Sequence, residues 1–334
     1  MRILLVTQMW PTPGEPELGS FLLPLVRELE ALGHTVEVAA IGRRGGPPTK
    51  YLALARDAVR AARRTRPDVV FAHFLFPAGA AGLAAARAAR VPLVVMAHGQ
   101  DVANCERAPI RAATAPVVRG AAAVIANSRW LAGRLQRHFP RVQADVCDLG
   151  VDLAQFDPAA ATPAPWVGEH PRLLCVGALI ERKNVVALAE AFAALGRGSL
   201  TFVGEGPLRG ALEGRPGVTL AGRVPHDQVP AWMAACDVLC QPSLQEPFGL
   251  ATLEAMALER TVVATTEGGP PEFVTPQAGV LVDPRDPTAL RDALERAAAM
   301  PSPNPAARAA AAEHDARRQA ARMAAVLERT LATG

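Results

Sequence analysis

Two glutamates, a pair of adjacent cations and a histidine beside a glycine are the residues of this chain best placed to do chemistry. Glu246 and Glu254 flank the turn Glu246-Pro247-Phe248-Gly249, with seven residues between them. An ionised carboxylate accepts more than one hydroxyl, so the pair suits recognition of a sugar or a ribose. The same spacing also suits a helix-capping Glu246 and a solvated Glu254. Pro247 keeps Glu246 out of the α region. Leu250, Leu253, Glu254, Met256 and Ala257 then have helical spacing. The backbone N–H groups of Phe248, Gly249 and Leu250 therefore fall at a helix N-terminus, a ready anion site. Arg182 and Lys183 follow a turn containing Gly177 and precede an apolar helix. They make either a diphosphate pocket or two solvated surface cations. His98 follows an apolar run directly and precedes Gly99 and Asp101, as either a functional donor or a capped loop histidine. Gly19 permits the close backbone approach that a phosphate neighbour needs.

These residues need elements to hold them. In the first half, apolar runs predict strands at Arg2–Thr7, Thr35–Ile41, Asp68–Ala72, Pro92–Ala97, Ala122–Ala126 and Val142–Asp148. Helical periodicity places helices at Phe21–Gly33, Tyr51–Arg64, Ala78–Ala89 and Arg129–His138. In the second half, strands are expected at Arg172–Val176, Ser199–Val203, Val218–Ala221, Asp237–Gln241, Thr261–Thr265 and Gly279–Val282. Helices are expected at Val185–Ala194, Gln228–Ala235, from Leu250, at Thr288–Met300 and at Ala311–Leu331. Continuous apolar strands alternating with helices mean parallel sheets covered on both faces. In such sheets ligands bind at the carboxyl ends of the strands. The loops Met9–Gly19, His73–Phe76, His98–Asp101, Gly177–Asn184 and Gln241–Gly249 all fall there.

Length and composition narrow the classes. At 334 residues the chain exceeds one ordinary core, so two domains are expected. The Ala- and Pro-rich Ala159–Pro165 is the best linker, giving domains 1–157 and 158–310 and a final helix in 311–334. Up to Asp157 there are 19 Lys and Arg against 13 Asp and Glu; beyond it the counts are 16 and 19. Much of the basic excess lies in Arg43–Arg66, either a solvated helix face or a docking face for an anionic membrane or acceptor. Aromatics are 4% of the chain, which argues against a nucleic-acid stacking platform. The N-terminal apolar run is too short for a signal peptide, and no apolar run reaches about 18 residues, so a cytoplasmic protein is expected. Five cysteines without zinc spacing fit a reducing compartment. A nicotinamide oxidoreductase is disfavoured, because there is no G-x-G-x-x-G.

The pieces EPFG, EAMA, VVAT and GG-x-x-E, in that order from Glu246 to Glu272, resemble the donor half of retaining glycosyltransferases of family 4. The first half is similar too, in His98-Gly99-Gln100-Asp101, in Val124–Ser128 and in Gly150-Val151-Asp152 with Phe156. The resemblance covers nearly the whole chain. It implies an α/β protein of the GT-B fold, two facing doubly wound Rossmann-like domains with a cleft between them. The first would bind the acceptor and the second the nucleotide-sugar, with the last helix crossing back. It implies transfer of a hexose from a UDP-sugar, favoured over GDP-mannose, to an acceptor hydroxyl with retention. Lys183, with Arg182, would hold the donor diphosphate, with Gly19 on the other side. Glu246 would hold hydroxyls of the sugar, Glu254 the ribose, and Val224 would lie at the nucleobase edge. His98 would contact the sugar near the reacting carbon. The loops carrying Trp10, His73, Phe76 and Asp101 would meet the acceptor, which is a glycan, a lipid-linked or a small molecule. No D-x-D pair is present, which fits the metal-independent, cofactor-free chemistry of this fold. Two positions depart from the family spacing EAMA-x-G-x-P: its glycine is Glu259 and its proline Thr261. Ala178 stands where the family has arginine. The competing readings are an epimerase of the same fold, which consumes donor without acceptor, and a non-catalytic nucleotide-sugar or glycan-binding protein.

Overall fold

The computed structural model describes residues 1–332. It divides the chain into two units, Met1–Leu149 with the segment from Ala316 onward, and Gly150–Asp315. The first unit runs β1 (Arg2–Thr7), α1 (Leu22–Ala31), β2 (Thr35–Ala40), α2 (Thr49–Thr65), β3 (Val69–His73), α3 (Ala78–Ala89), β4 (Leu93–Ala97), α4 (Gln100–Asn104), α5 (Ala108–Gly120), β5 (Ala123–Ala126), α6 (Arg129–His138) and β6 (Asp145–Val146). Its strands form one parallel sheet in the order β2-β1-β3-β4-β5-β6. Successive side chains leave a strand on opposite faces. Leu4, Val6, Val70, Ala72 and Val95 accordingly pack with α2 and α3 on one side. Ile3, Val69, Phe71, Val94 and Met96 pack on the other, against α1 and the final helix. Both faces are dry, which is why the strands read as unbroken apolar runs.

The second unit runs β7 (Arg172–Val176), α7 (Val185–Leu195), β8 (Ser199–Val203), α8 (Arg209–Leu212), β9 (Val218–Gly222), α9 (Val229–Ala235), β10 (Val238–Gln241), α10 (Leu250–Ala257), β11 (Thr261–Thr265), β12 (Gly279–Val282), α11 (Pro287–Ala298) and α12 (Pro305–Ala312). Its parallel sheet has the order β12-β11-β10-β7-β8-β9. Leu174, Leu239 and Val262 face α10 and α12, while Leu173, Cys175 and Val263 face α7 and α11. The five cysteines are all free and buried.

The structure differs from the sequence expectations in several places. Between Ala97 and Ala122, where the sequence predicts no helix, lie α4 and α5; two prolines, Pro109 and Pro116, mask α5. The final helix is two helices, α12 and α13 (Ala316–Ala332). They part where the Val151 N–H donates to the His314 carbonyl at 2.8 Å. The strand expected at Val142–Asp148 is reduced to two residues. The units divide at Leu149/Gly150, ahead of the Ala- and Pro-rich segment.

Glu259, the residue at the family's glycine position, has φ +60°. Its carbonyl accepts from the Asn304 N–H at 2.7 Å. Thr261, at the family's proline position, donates its hydroxyl to the Pro301 carbonyl at 3.0 Å and accepts from Asn304 Nδ2 at 2.9 Å. The left-handed turn survives without glycine, held by these bonds. The strain costs of the order of 1 kcal/mol.

Candidate functional site

At the carboxyl edge of the second sheet, two loops meet from distant parts of the chain. A short 3₁₀ turn, Glu181–Lys183, follows β7, and the loop 242–249 follows β10. The Leu244 N–H donates to the Arg182 carbonyl at 2.8 Å, and Arg182 Nη1 donates to the Gln245 carbonyl at 3.0 Å. This clamp sets Lys183 Nζ 2.6 Å from Glu246 Oε2. Ser243 Oγ donates to the same carboxylate oxygen at 3.0 Å. Both partners of the ion pair are largely buried, with 15% and 12% of their side chains exposed. Burial works against the Glu246 charge, but Lys183, with Arg182 and Ser243, outweighs it and holds the pKa below the usual carboxylate range.

The backbone of Glu246 is fixed from the other side. Its N–H donates to the Glu267 carbonyl and its carbonyl accepts from the Gly269 N–H, both at 2.9 Å. A Cβ on Gly268 would collide with the Glu246 carbonyl, and φ there is +144°. The GG that follows VVAT in the sequence is therefore there to let the next strand's loop close on Glu246. Gly249, at φ +104°, turns the chain into α10.

Glu254 lies inside α10 and is 7% exposed. Burial alone pushes its carboxyl up to about 7. His226 Nε2 is 3.9 Å from Glu254 Oε1. Val224 is half-buried at the start of that same segment and packs on the core below it. His226 and Ser243 were not singled out by the sequence reading. Ser243 stands three residues before Glu246, a spacing that signals a side-chain contact across a turn, but Pro242-Ser243 reads first as the end of a strand.

At the carboxyl edge of the first sheet lies a different set. His73 is the last residue of β3 and is fully buried. His98 follows β4 and is half-buried. Their rings meet at 3.0 Å, Nδ1 of His73 to Nε2 of His98. Phe74 and Phe21 flank His98, with ring centroids 4.4 and 5.4 Å away. Removal from water pushes His98 down to about 3 and His73 well below its ordinary value. Both rings are neutral at pH 7.

Asp101 is 4% exposed and turned inward. Its carboxylate accepts from the N–H groups of Leu75, His98, Gly99 and Val102. Burial raises its pKa, against the pull of those four bonds. The residue expected to meet the acceptor instead ties the loops after β3 and β4 together. His73 is likewise buried and meets His98 rather than solvent. Trp10 and Phe76 are half-buried, and among the described residues no hydrogen bond joins them to the histidines. Gly19 has φ +75°, and a Cβ there would collide with the Met9 carbonyl. Its close approach is made within its own loop.

Among the described residues, no group of three or more His, Cys, Asp or Glu side chains is placed to hold a metal ion. No described helix is long and apolar enough to cross a membrane.

Each unit matches a family model. Residues 18–155 match the profile of Glycosyltransferase Family 4, and residues 170–299 that of Glycosyl transferases group 1. The chain is 26% identical to TuaC of Bacillus subtilis (strain 168), a glycosyltransferase assigned to teichuronic acid biosynthesis, over 89% of each protein. It is 32% identical to a D-inositol 3-phosphate glycosyltransferase of Pseudarthrobacter chlorophenolicus, over 70% of this chain and 64% of that one. It thus spans just under two thirds of the latter. Sucrose-phosphate synthase from Thermosynechococcus elongatus superposes with a TM-score of 0.81 at 20% identity, over 100% of both chains. Anabaena HepE, solved in complex with UDP-glucose, superposes with a TM-score of 0.74 at 22% identity, over 98% of this chain and 100% of that one.

Proposed function

We propose a reaction from one premise: the chain belongs to the glycosyltransferases, family 4 in its first half and group 1 in its second, and has the GT-B fold. It moves a hexose from a UDP-sugar, rather than GDP-mannose, to an acceptor hydroxyl, with retention and without a metal. The observation that carries this reading is the buried Lys183–Glu246 pair with Ser243 at the carboxyl edge of the second sheet. HepE, solved with UDP-glucose, supports a UDP-sugar donor.

The leaving group is a nucleoside diphosphate, so the main task is to stabilise charge as it develops there. Lys183 and the N–H groups of Phe248, Gly249 and Leu250 do this. Arg182, anchored to the Gln245 carbonyl through one nitrogen, adds its remaining donors. Glu246 is held ionised and accepts hydroxyls of the transferred sugar. Glu254 accepts those of the ribose, and backbone at Val224 borders the base. His98 is a neutral hydrogen-bonding group for the sugar, and Gly19 shapes its own loop. The bond from the anomeric carbon to the diphosphate oxygen breaks, and the acceptor oxygen bonds to that carbon on the same face. The acceptor's proton passes to the departing diphosphate. No nucleophile of the chain takes part. Trp10 and Phe76 are the acceptor-side contacts; His73 and Asp101 act behind them. The exposed Arg56, Arg60, Arg63 and Arg64 of α2, with Leu52 72% exposed, suit an anionic membrane surface.

The test is release of glucose to water from UDP-[13C]glucose, followed by NMR with and without EDTA. The expected product is α-glucose first, at a rate EDTA does not change. A β-anomer, or loss of turnover with EDTA, contradicts the retaining or the metal-free part.

A further inference from the structure

We infer that His73 is a positioning residue that fixes the tautomer of His98, presenting it to the transferred sugar as an Nδ1–H donor. The inference rests on the proposed contact between His98 and the sugar.

The topology brings the two rings together. β3 and β4 are neighbours in the sheet, with His73 level with Met96, so His98 lies just beyond His73. Asp101 accepts from the N–H groups of His98 and Gly99, which holds the backbone under the His98 ring. Phe21 and Phe74 limit the ring's rotation. The remaining freedom is the position of one proton, and the 3.0 Å contact with His73 decides it.

Two neutral imidazoles in such contact have one donor and one acceptor. His73 Nε2 is buried and, among the described residues, has no hydrogen-bond partner. If His73 carried its proton there, an N–H would be orphaned away from water, a rare arrangement in native structures. If the proton sits on Nδ1, what is left buried is a lone pair. His73 therefore donates from Nδ1, and His98 Nε2 accepts. The proton of His98 then lies on Nδ1, which among the described residues has no protein partner. His98 so arranged gives a proton to a hydroxyl oxygen of the sugar in a hydrogen bond. It does not serve as the base that deprotonates the acceptor, since its one basic nitrogen is occupied by His73.

The tautomer is read directly in the full-length protein labelled with 15N-histidine, by long-range 1H–15N correlation at pH 7.5. The expected result is a protonated Nδ1 and a bare Nε2 on His98. In His73→Phe the proton of His98 shifts toward Nε2; in His73→Asn, whose side-chain amide replaces the Nδ1–H, it returns to Nδ1. A wild-type His98 protonated on Nε2, or a tautomer unmoved in His73→Phe, overturns the inference. The functional readout is the ratio of UDP-glucose affinity to UDP affinity, which isolates the sugar. His73→Phe should lower that ratio about tenfold, the size of one lost hydrogen bond, and His73→Asn should restore it. If His98→Ala lowers the ratio and His73→Phe does not, the positioning role is wrong. If His98→Ala leaves the ratio unchanged, the sugar contact fails, while the tautomer result stands or falls on the spectra alone.

Discussion

At the carboxyl edge of the first sheet, His73 and His98 share one hydrogen bond, and removal from water keeps both rings neutral. At the same edge of the second sheet, Lys183 and Glu246 are also withdrawn from water, yet against that burial Lys183, 2.6 Å away, holds the Glu246 carboxyl below the usual carboxylate range. Both sheets are six-stranded, parallel and doubly wound, so topology does not set the difference. What sets it is whether a buried titratable group has a counter-charge. A diphosphate leaving group calls for fixed charge, and sugar hydroxyls call for neutral donors and fixed acceptors. In the proposed reaction the charged pair of the second sheet answers the first of these demands.

The sharpest way to break this contrast is to remove one charge. Lys183→Met should destabilise the chain by about 3–5 kcal/mol in urea unfolding, because Glu246 is left buried without its partner. Adding Glu246→Gln should recover most of the loss. A single-variant effect below about 1 kcal/mol would mean that the pair is more solvated than its geometry indicates.

On the first edge the corresponding variant is Asp101→Ala. It orphans the N–H groups that now meet the carboxylate and should cost about 3 kcal/mol. Circular dichroism melts against Asp101→Asn, which keeps part of the bonding, will show whether the loss is local.

Apolar runs ending in polar residues marked the loops after β4, β7 and β10, so His98, Lys183 and Glu246 were findable. Lys183 and Glu246 are 63 positions apart, and nothing in spacing alone announces that they pair. The inward turn of Asp101 is not legible in the sequence, because side-chain direction in a short loop has no periodicity to reveal it. The apolar run ends at Ala72, but β3 runs one residue further and buries His73. Ser243 was hidden behind the strand-ending Pro242. Helix α5 was missed because two prolines outweighed its weak pattern, and α13 ran together with α12 in an alanine-rich stretch where every face looks apolar.

Glu254 supplies a finer test within the second edge. Its carboxyl titrates near 7 when burial is uncompensated. If Glu254 accepts the ribose hydroxyls as proposed, they favour its ionised form and donor binding releases a proton. Affinity for UDP-glucose should therefore rise about tenfold from pH 6 to pH 8 and then level off, a slope that Glu254→Gln should lack. The sign for stability is the reverse. The folded chain holds the proton more tightly than the unfolded one, so this group's contribution is lost as pH rises through about 7.

The smallest effect expected is at Glu259. Its φ of +60° suits glycine, so Glu259→Gly should stabilise the chain by up to about 1 kcal/mol in thermal unfolding. No gain would mean that the Asn304 bond already offsets the strain.

The central claim is that the charged edge of the second sheet holds a nucleotide-sugar through Lys183. Calorimetric titration with UDP-glucose, GDP-mannose and ADP-glucose tests it most directly, on the wild type and on Lys183→Ala. The account predicts binding of UDP-glucose above the others, weakened at least about tenfold in Lys183→Ala. Equal binding to both proteins, or heat from none of the three sugars, would contradict it.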